Sequence, residues 1–264
     1  MKLNTEKMIA AKADGIGWMT FNNPERRNAT SLEMWEAVGV ILDDFEADET
    51  VRVVVMNGAG GKAFVSGADI SEFKEKRNDA EAAAEYAAVS EGARTRMATM
   101  QKPLIAMIDG YCLGGGLAIA MNADMRFASV GSQFGVPAAR LGIAYAFNSL
   151  RRLVALVGPA VASEMMFTAN RLSAERALEV GLINGVFAVD ELEGAVREIA
   201  TTIVNNAPLS VHASKATIGE ILKDPADRDL DRLAEISKAC FDSADYAEGR
   251  QAFMEKRPPV FTGT

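Results

Sequence analysis

Apolar positions along the first two hundred residues recur with two alternating periods. Met8–Lys12 and Ile16–Phe21 are short apolar runs flanking Asp14-Gly15, a pair that marks a tight hairpin. Asn22-Asn23-Pro24 then stops the second strand. Behind it Leu32, Trp35, Val38, Leu42 and Phe45 fall at helical spacing, with Thr30 and Glu33 reading as a capping box. Val51–Met56 is a continuous β-branched run bounded by Asn57-Gly58, the pattern of a strand covered on both faces. A second helix is expected over Asp79–Met100, with Ala82, Tyr86, Val89, Ala93, Met97 and Met100 on one stripe and Pro103 beyond its end. Leu104–Ile108 and Met125–Val130 repeat the buried-strand pattern. Strand, glycine-rich turn and helix in alternation predict an α/β core with parallel pairing.

The pattern changes near residue 200, where strand signals stop. Helices are expected over Pro208–Leu222, Pro225–Phe241 and Asp245–Glu255. The second has Asp224 as N-cap, Pro225 at its first position, and Leu230, Leu233, Ile236 and Cys240 in register. The third opens on the box-like pair Asp245 and Glu248. The chain therefore divides into a core over residues 1–200 and a helical C-terminal region over 201–264.

Composition narrows the function classes. A hydrophobic share of 49% with 24% charged residues is that of a globular protein. The longest apolar stretches, such as Leu113–Met121, fall short of the ~18 residues a membrane span needs. Lys2, Glu6, Lys7 and Lys12 interrupt any secretion signal. Cys112 and Cys240 form neither a C-x-x-C pair nor a disulfide framework, so a cytoplasmic location is expected. A formal charge of −8 argues against nucleic acid or an anionic membrane as partner. A polyanionic ligand would need a local basic patch. The single histidine, His212, rules out a His-rich metal site, and no G-x-S-x-G elbow is present. His212 itself reads as an ordinary helix residue.

Two glycine segments, each after a strand, carry the candidate chemistry: Ala63–Ile70 and Asp109–Ala118. Backbone free of bulky side chains can bring N–H donors against a ligand atom. The second segment, with Gly114-Gly115-Gly116, also opens a helix, where free amides and the helix dipole favour negative charge. Two such amides converging on one oxygen would make an oxyanion hole. Neither segment is a P-loop or a G-x-G-x-x-G fingerprint.

The order and spacing of Asn23-Pro24-Glu25-Arg26-Arg27-Asn28-Ala29, Phe64-Val65-Ser66-Gly67-Ala68-Asp69-Ile70, Lys102-Pro103-Leu104-Ile105-Ala106 and Gly110-Tyr111 with Gly114-Gly115-Gly116 closely resemble the crotonase (enoyl-CoA hydratase/isomerase) superfamily. The resemblance continues through Ser132-Gln133-Phe134-Gly135, Leu172-Ser173-Ala174, Gly181-Leu182-Ile183-Asn184 and Glu248 to Arg257, so it covers nearly the whole chain. It implies an α/β protein with a ββα-spiral core and a helical C-terminal region that makes trimer contacts, the trimers often pairing into hexamers. It implies an enzyme of fatty acid metabolism on an acyl-CoA thioester, with coenzyme A entering as part of the substrate and no permanent cofactor or metal. The amides matching Ala68 and Gly115 would bind the thioester oxygen and stabilise an enolate. Asp69 and Ile70 would line the same CoA-contacting loop. Arg26 or Arg27, and Lys256, would meet CoA phosphates.

The chain departs from the family where hydratases carry two glutamates. One position is Ala118 here and the other is Ala138, after Phe134-Gly135-Val136-Pro137; an isomerase acid would match Ala146. Ala118, Ala138, Ala139 and Ala144 are read as an apolar wall, with Tyr145 as the polar candidate left. Leu141-Gly142-Ile143-Ala144-Tyr145 and the tail Phe241–Gly249 resemble, in part, the methylmalonyl-CoA decarboxylase branch, although that branch has histidine where this chain has Ala68. Loss of CO₂ from a malonyl-type thioester generates the enolate without a carboxylate base, and Tyr145 would orient the departing carboxylate. The alternatives are an ordinary hydratase or isomerase with a substituted acid or base, and an acyl-CoA-binding protein without turnover.

Overall fold

A computed structural model of the chain describes residues 1–69 and 80–264. β1 (Met8–Ala13) and β2 (Ile16–Phe21) form an antiparallel hairpin through Asp14 and Gly15, at φ 55° and 79°. Left-handed turn residues of this kind match the twist of the paired strands. β2 then pairs in parallel with β3 (Val53–Gly58), which pairs with β5 (Leu104–Ile108). β7 (Met125–Ser129) and β10 (Gly185–Phe187) continue the parallel run, giving the order β1-β2-β3-β5-β7-β10.

The apolar runs in β3 and β5 are explained by what lies on each face. Val54, Met56, Leu104, Ala106 and Ile108 share a core with residues of α1 (Leu32–Ala47) and α2 (Ala80–Thr99). Val53, Val55, Ile105 and Met107 point the other way, onto Leu192, Val196 and Ala200 of a later helix, Leu192–Val204. Strand side chains alternate between faces, so a strand covered on both must be apolar throughout. That helix, Leu192–Val204, runs through residue 200.

A second sheet of four short strands, β4 (Ala63–Val65), β6 (Tyr111–Leu113), β8 (Gln133–Gly135) and β9 (Leu172–Ser173), stands in that order. Its first three strands are parallel, so their C-terminal ends meet at one edge. α3 (Gly115–Ala120) and α4 (Ala138–Leu141) begin just past the ends of β6 and β8. α5 (Phe147–Thr168), kinked at Gly158, and α6 (Ala174–Glu179) follow; α7 is the Leu192–Val204 helix. α8 (Pro208–Ile221), α9 (Leu230–Phe241) and α10 (Ala244–Glu255) complete the chain.

Three expected caps are corrected. Ser31, not Thr30, caps α1 by accepting the Met34 amide, because Thr30 is spent on the loop at Gly67. Pro225 opens only a 3₁₀ turn, Pro225–Asp227, and α9 starts afresh at Leu230 with Asp229 accepting the Arg232 amide. Ser243 caps α10, while buried Asp245 and half-buried Glu248 hold the C-terminal tail through Thr262, Gly263, Arg257 and Val260.

Candidate active site

The site is built at the edge where β4, β6 and β8 end. After β4 the chain passes through Gly67, at φ 121°, and Thr30 straps it down: the Thr30 amide donates to Gly67 O (2.8 Å) and Asp69 donates to Thr30 O (3.0 Å). This is one rung of parallel pairing at Ala68. Alternate amides of a paired strand point in opposite directions, so the Ala68 N–H faces away from Thr30. After β6, Gly114 adopts φ 53° and ψ −116°, a conformation open to glycine alone, and α3 begins at Gly115. The first bond inside that turn runs from the Ala118 amide to Gly114 O (3.1 Å). The amides of Gly115 and Gly116 are thus among the free donors of a helix start.

The two loops touch. A methyl group added at Gly115 would stand 3.6 Å from the Gly67 Cα and 3.7 Å from the Ala68 nitrogen. One added at Gly67 would stand 3.8 Å from the Gly115 nitrogen. Gly116 is glycine for another reason: a Cβ there would fall 1.8 Å from the Val65 carbonyl oxygen. Buried Asn28 supports the first loop, its amide donating to the carbonyls of Ala59 and Ala63. Neither Thr30 nor Asn28 was singled out for the site in the sequence. Their burial, at 2% and 0% exposure respectively, comes from tertiary packing and has no counterpart in the local pattern.

Ala118 and Ala138 are buried, on α3 and at the start of α4, and both adjoin this edge. Ala139 and Ala144, read as part of the same apolar wall, are exposed instead, because α4 is one turn long and the chain after it runs over the surface. Between Tyr111 and Ser163 the chain holds one carboxylate, Asp124. It accepts the Leu104 amide and pairs with Lys215 at 2.8 Å. Tyr145 packs against the main core, and its hydroxyl donates to Gly114 O at 3.3 Å. Burial pushes this phenol far above its ordinary range, so it stays a neutral donor.

Asp69 is half-buried beside the loop, and Ile70 lies outside the described residues. Arg26, in the 3₁₀ turn Pro24–Arg26, and Lys256, the left-handed C-cap of α10, are exposed on separate elements. Arg27 and Arg171 stack over the Tyr111 ring at 5.6 and 5.2 Å, placing positive charge on the small sheet despite the net charge of −8. Among the described residues no cluster of three or more His, Cys, Asp or Glu could hold a metal. Nor is any described helix long and apolar enough to cross a membrane. A cavity of about 610 Å³ lies elsewhere, among Ala207, Leu209, Phe241, Tyr246, Phe253 and neighbouring residues of the C-terminal helices. It is open and apolar and offers none of the amides described above.

The chain is similar to known proteins over nearly its whole length. The crystal structure of an enoyl-CoA hydratase/carnithine racemase from Magnetospirillum magneticum superimposes with a TM-score of 0.92 at 35% identity, covering 99% of this chain and 97% of that one. A short-chain-enoyl-CoA hydratase of Clostridium acetobutylicum is 37% identical over 257 residues, 97% of either chain. A carnitinyl-CoA dehydratase of Salmonella enteritidis is 33% identical over 93% of this chain and 94% of its own. The family profile described as enoyl-CoA hydratase/isomerase matches residues 11–264. With a fold of this class and a match of that extent, the chain belongs to the enoyl-CoA hydratase/isomerase family.

Proposed function

We propose that this protein is an enzyme acting on an acyl-CoA thioester, whose carbonyl oxygen sits between the amides of Ala68 and Gly115. The observation that carries this reading is the meeting of two glycine-preceded amides at adjoining ends of parallel strands. As negative charge develops on the thioester oxygen, two fixed donors stabilise it without reorganising; the loss of one such donor typically lowers turnover by about 10²–10³-fold. Arg26, Arg27 and Lys256 are the candidates for the CoA phosphates, with Asp69 and Ile70 along the thioester loop.

The reaction that suits the rest of the site forms an enolate without a carboxylate base. Ala118 and Ala138 supply no general acid or base, and Asp124 is committed to Lys215. In a malonyl-type thioester the bond from Cα to the carboxylate breaks, its electron pair enters the enolate, CO₂ leaves, and a solvent proton returns to Cα. An apolar surrounding favours the charge-dispersed transition state over the localised carboxylate. The Tyr145 hydroxyl, read from the sequence as a partner for that carboxylate, donates to Gly114 O, so no step is routed through it here.

A second reading is hydration or dehydration of an enoyl-CoA, favoured by what the relatives are named for. It would need a proton-transfer group other than residues 118 and 138. Mass-spectrometric product screening with malonyl-, methylmalonyl- and crotonyl-CoA separates the two. CO₂ release with crotonyl-CoA untouched supports decarboxylation; water addition at a rate typical of hydratases overturns it. Binding of all three without turnover would make the chain an acyl-CoA-binding protein.

The assembly we infer is a homotrimer, alone or paired into a hexamer, closed by the C-terminal helices. Phe253 and Met254 on α10 are 86% and 71% exposed, and Phe241 on α9 is 62% exposed. Apolar area of that extent calls for a covering partner. Both cysteines are free, which supports a reducing compartment such as the cytoplasm.

A further inference from the structure

The amide N–H that a hole presents belongs to a peptide unit whose carbonyl comes from the preceding residue. For the Ala68 amide that carbonyl is Gly67 O, and for the Gly115 amide it is Gly114 O. Each accepts two hydrogen bonds of the same composition, one from a backbone amide and one from a side-chain hydroxyl. Gly67 O takes the Thr30 amide at 2.8 Å and the Thr30 hydroxyl at 3.3 Å. Gly114 O takes the Ala118 amide at 3.1 Å and the Tyr145 hydroxyl at 3.3 Å. Thr30 is buried and Tyr145 largely so.

We infer that Thr30 and Tyr145 are paired positioning residues, whose hydroxyls hold and polarise the two peptide units that donate to the thioester oxygen. Hydrogen bonds linked in series through a peptide strengthen one another, by roughly 10–30% per bond in condensed-phase estimates. A donor on the carbonyl therefore makes the N–H at the other end of the same peptide a better donor. Both hydroxyl contacts are longer than the usual 2.7–2.8 Å or so for O–H···O, which leaves them free to shorten as charge builds at the hole. Tyr145 is suited to this because burial keeps it protonated. The backbone amides already fix Gly67 and Gly114 in place, so the hydroxyls are free to tune rather than to fold.

This inference rests on the thioester site proposed above, and its test separates the two. The probe is 4-dimethylaminocinnamoyl-CoA, whose absorption moves to longer wavelength when its thioester carbonyl is polarised. The unaltered protein should bind it with a red shift, and Gly115→Pro should abolish the shift. Tyr145→Phe and Thr30→Val should each shrink the shift with little change in affinity. Turnover of whichever acyl-CoA the protein converts should fall by about 3- to 10-fold per variant, in kcat rather than KM. Thr30→Ser, which keeps the hydroxyl, should restore the shift. Thermal melting of each variant distinguishes a loss of folding from a loss of polarisation. If the shift disappears in Gly115→Pro but stays whole in folded Tyr145→Phe and Thr30→Val, the positioning role is wrong and the site stands. If the unaltered protein shows no shift, both fall.

Discussion

Two amphipathic helices, α1 and α9, use apolar side chains to different ends. α1 buries seven of them, among them Trp35, Val38, Ile41, Leu42 and Phe45, against the six-stranded sheet. α9 has a comparable apolar stripe and buries none of it. The contrast extends to their surroundings. In the sheet-bearing part, backbone meets backbone at the strand ends, and a single glycine decides whether the loops fit. In the last sixty residues the buried side chains of α8 to α10 are Glu220, Asp245 and Ala252, two of them carboxylates that hold backbone amides of the turn before α9 and of the tail. Equal apolarity in sequence thus marks a finished core in one region and an uncovered face in the other.

Gly116→Ala attacks the first region at its tightest point. The new methyl would stand 1.8 Å from the Val65 carbonyl, and a backbone atom cannot rotate away. A loss of at least about 3 kcal/mol is expected, seen as a melting temperature lower by roughly 6–12 °C. Wild-type melting would mean that α3 does not rest on β4 as described.

Gly115→Pro sharpens the comparison, because proline is at home in the first position of a helix and the fold should survive. The N–H is lost and ring carbons take its place, a Cβ there standing 3.7 Å from the Ala68 nitrogen. Turnover should drop by about 10²-fold, with melting close to that of the unaltered protein. Unchanged kinetics would remove Gly115 from the site.

Installing glutamates asks whether the site's alanines are what withhold hydration. Crotonyl-CoA hydration should be near background as the chain stands and should rise by about 10²-fold or more in the Ala118→Glu, Ala138→Glu double variant. A fast unaltered enzyme would show that another group moves the proton.

In the second region, Phe253→Asp should break self-association while leaving far-ultraviolet dichroism intact, since the ring is 86% exposed within its own chain. Light scattering would report a trimer or hexamer becoming a smaller species; an unchanged mass would place the contact elsewhere.

The smallest expected effect is a pH dependence. Hydrogen bonds from Arg257, then from the Val260 amide, lower Glu248 from 4.5 to about 2. A carboxyl depressed in the folded state adds stability above its unfolded value and loses it as pH falls through the folded one. The tail after α10 should therefore loosen between about pH 4.5 and 2, read as falling protection of the Val260 amide relative to its intrinsic exchange rate at each pH. Glu248→Gln should flatten that profile.

Period and punctuation decided much of the local structure by themselves. The hairpin at Asp14-Gly15, the stripe of α1 and the two-faced strands β3 and β5 were legible because each depends on neighbours within a turn or on simple burial. Caps were less so: Thr30 and Asp224 have the right chemistry for capping, but a residue can give its hydrogen bonds once, and distant partners or the start of a 3₁₀ turn claimed those positions. The glycine loops could be named from sequence as amide donors, and Ala118 and Ala138 as lacking carboxylates. That the loops meet is a tertiary fact. It arises because three short parallel strands bring residues 65, 113 and 135 to one edge, far apart in sequence and adjacent only through the sheet. The bond from Tyr145 to Gly114 is of the same kind, spanning 31 residues with no pattern between them. Sequence fixes which groups are present; the sheet decides which of them face one another, because hydrogen-bond partners are set by distance and direction in space.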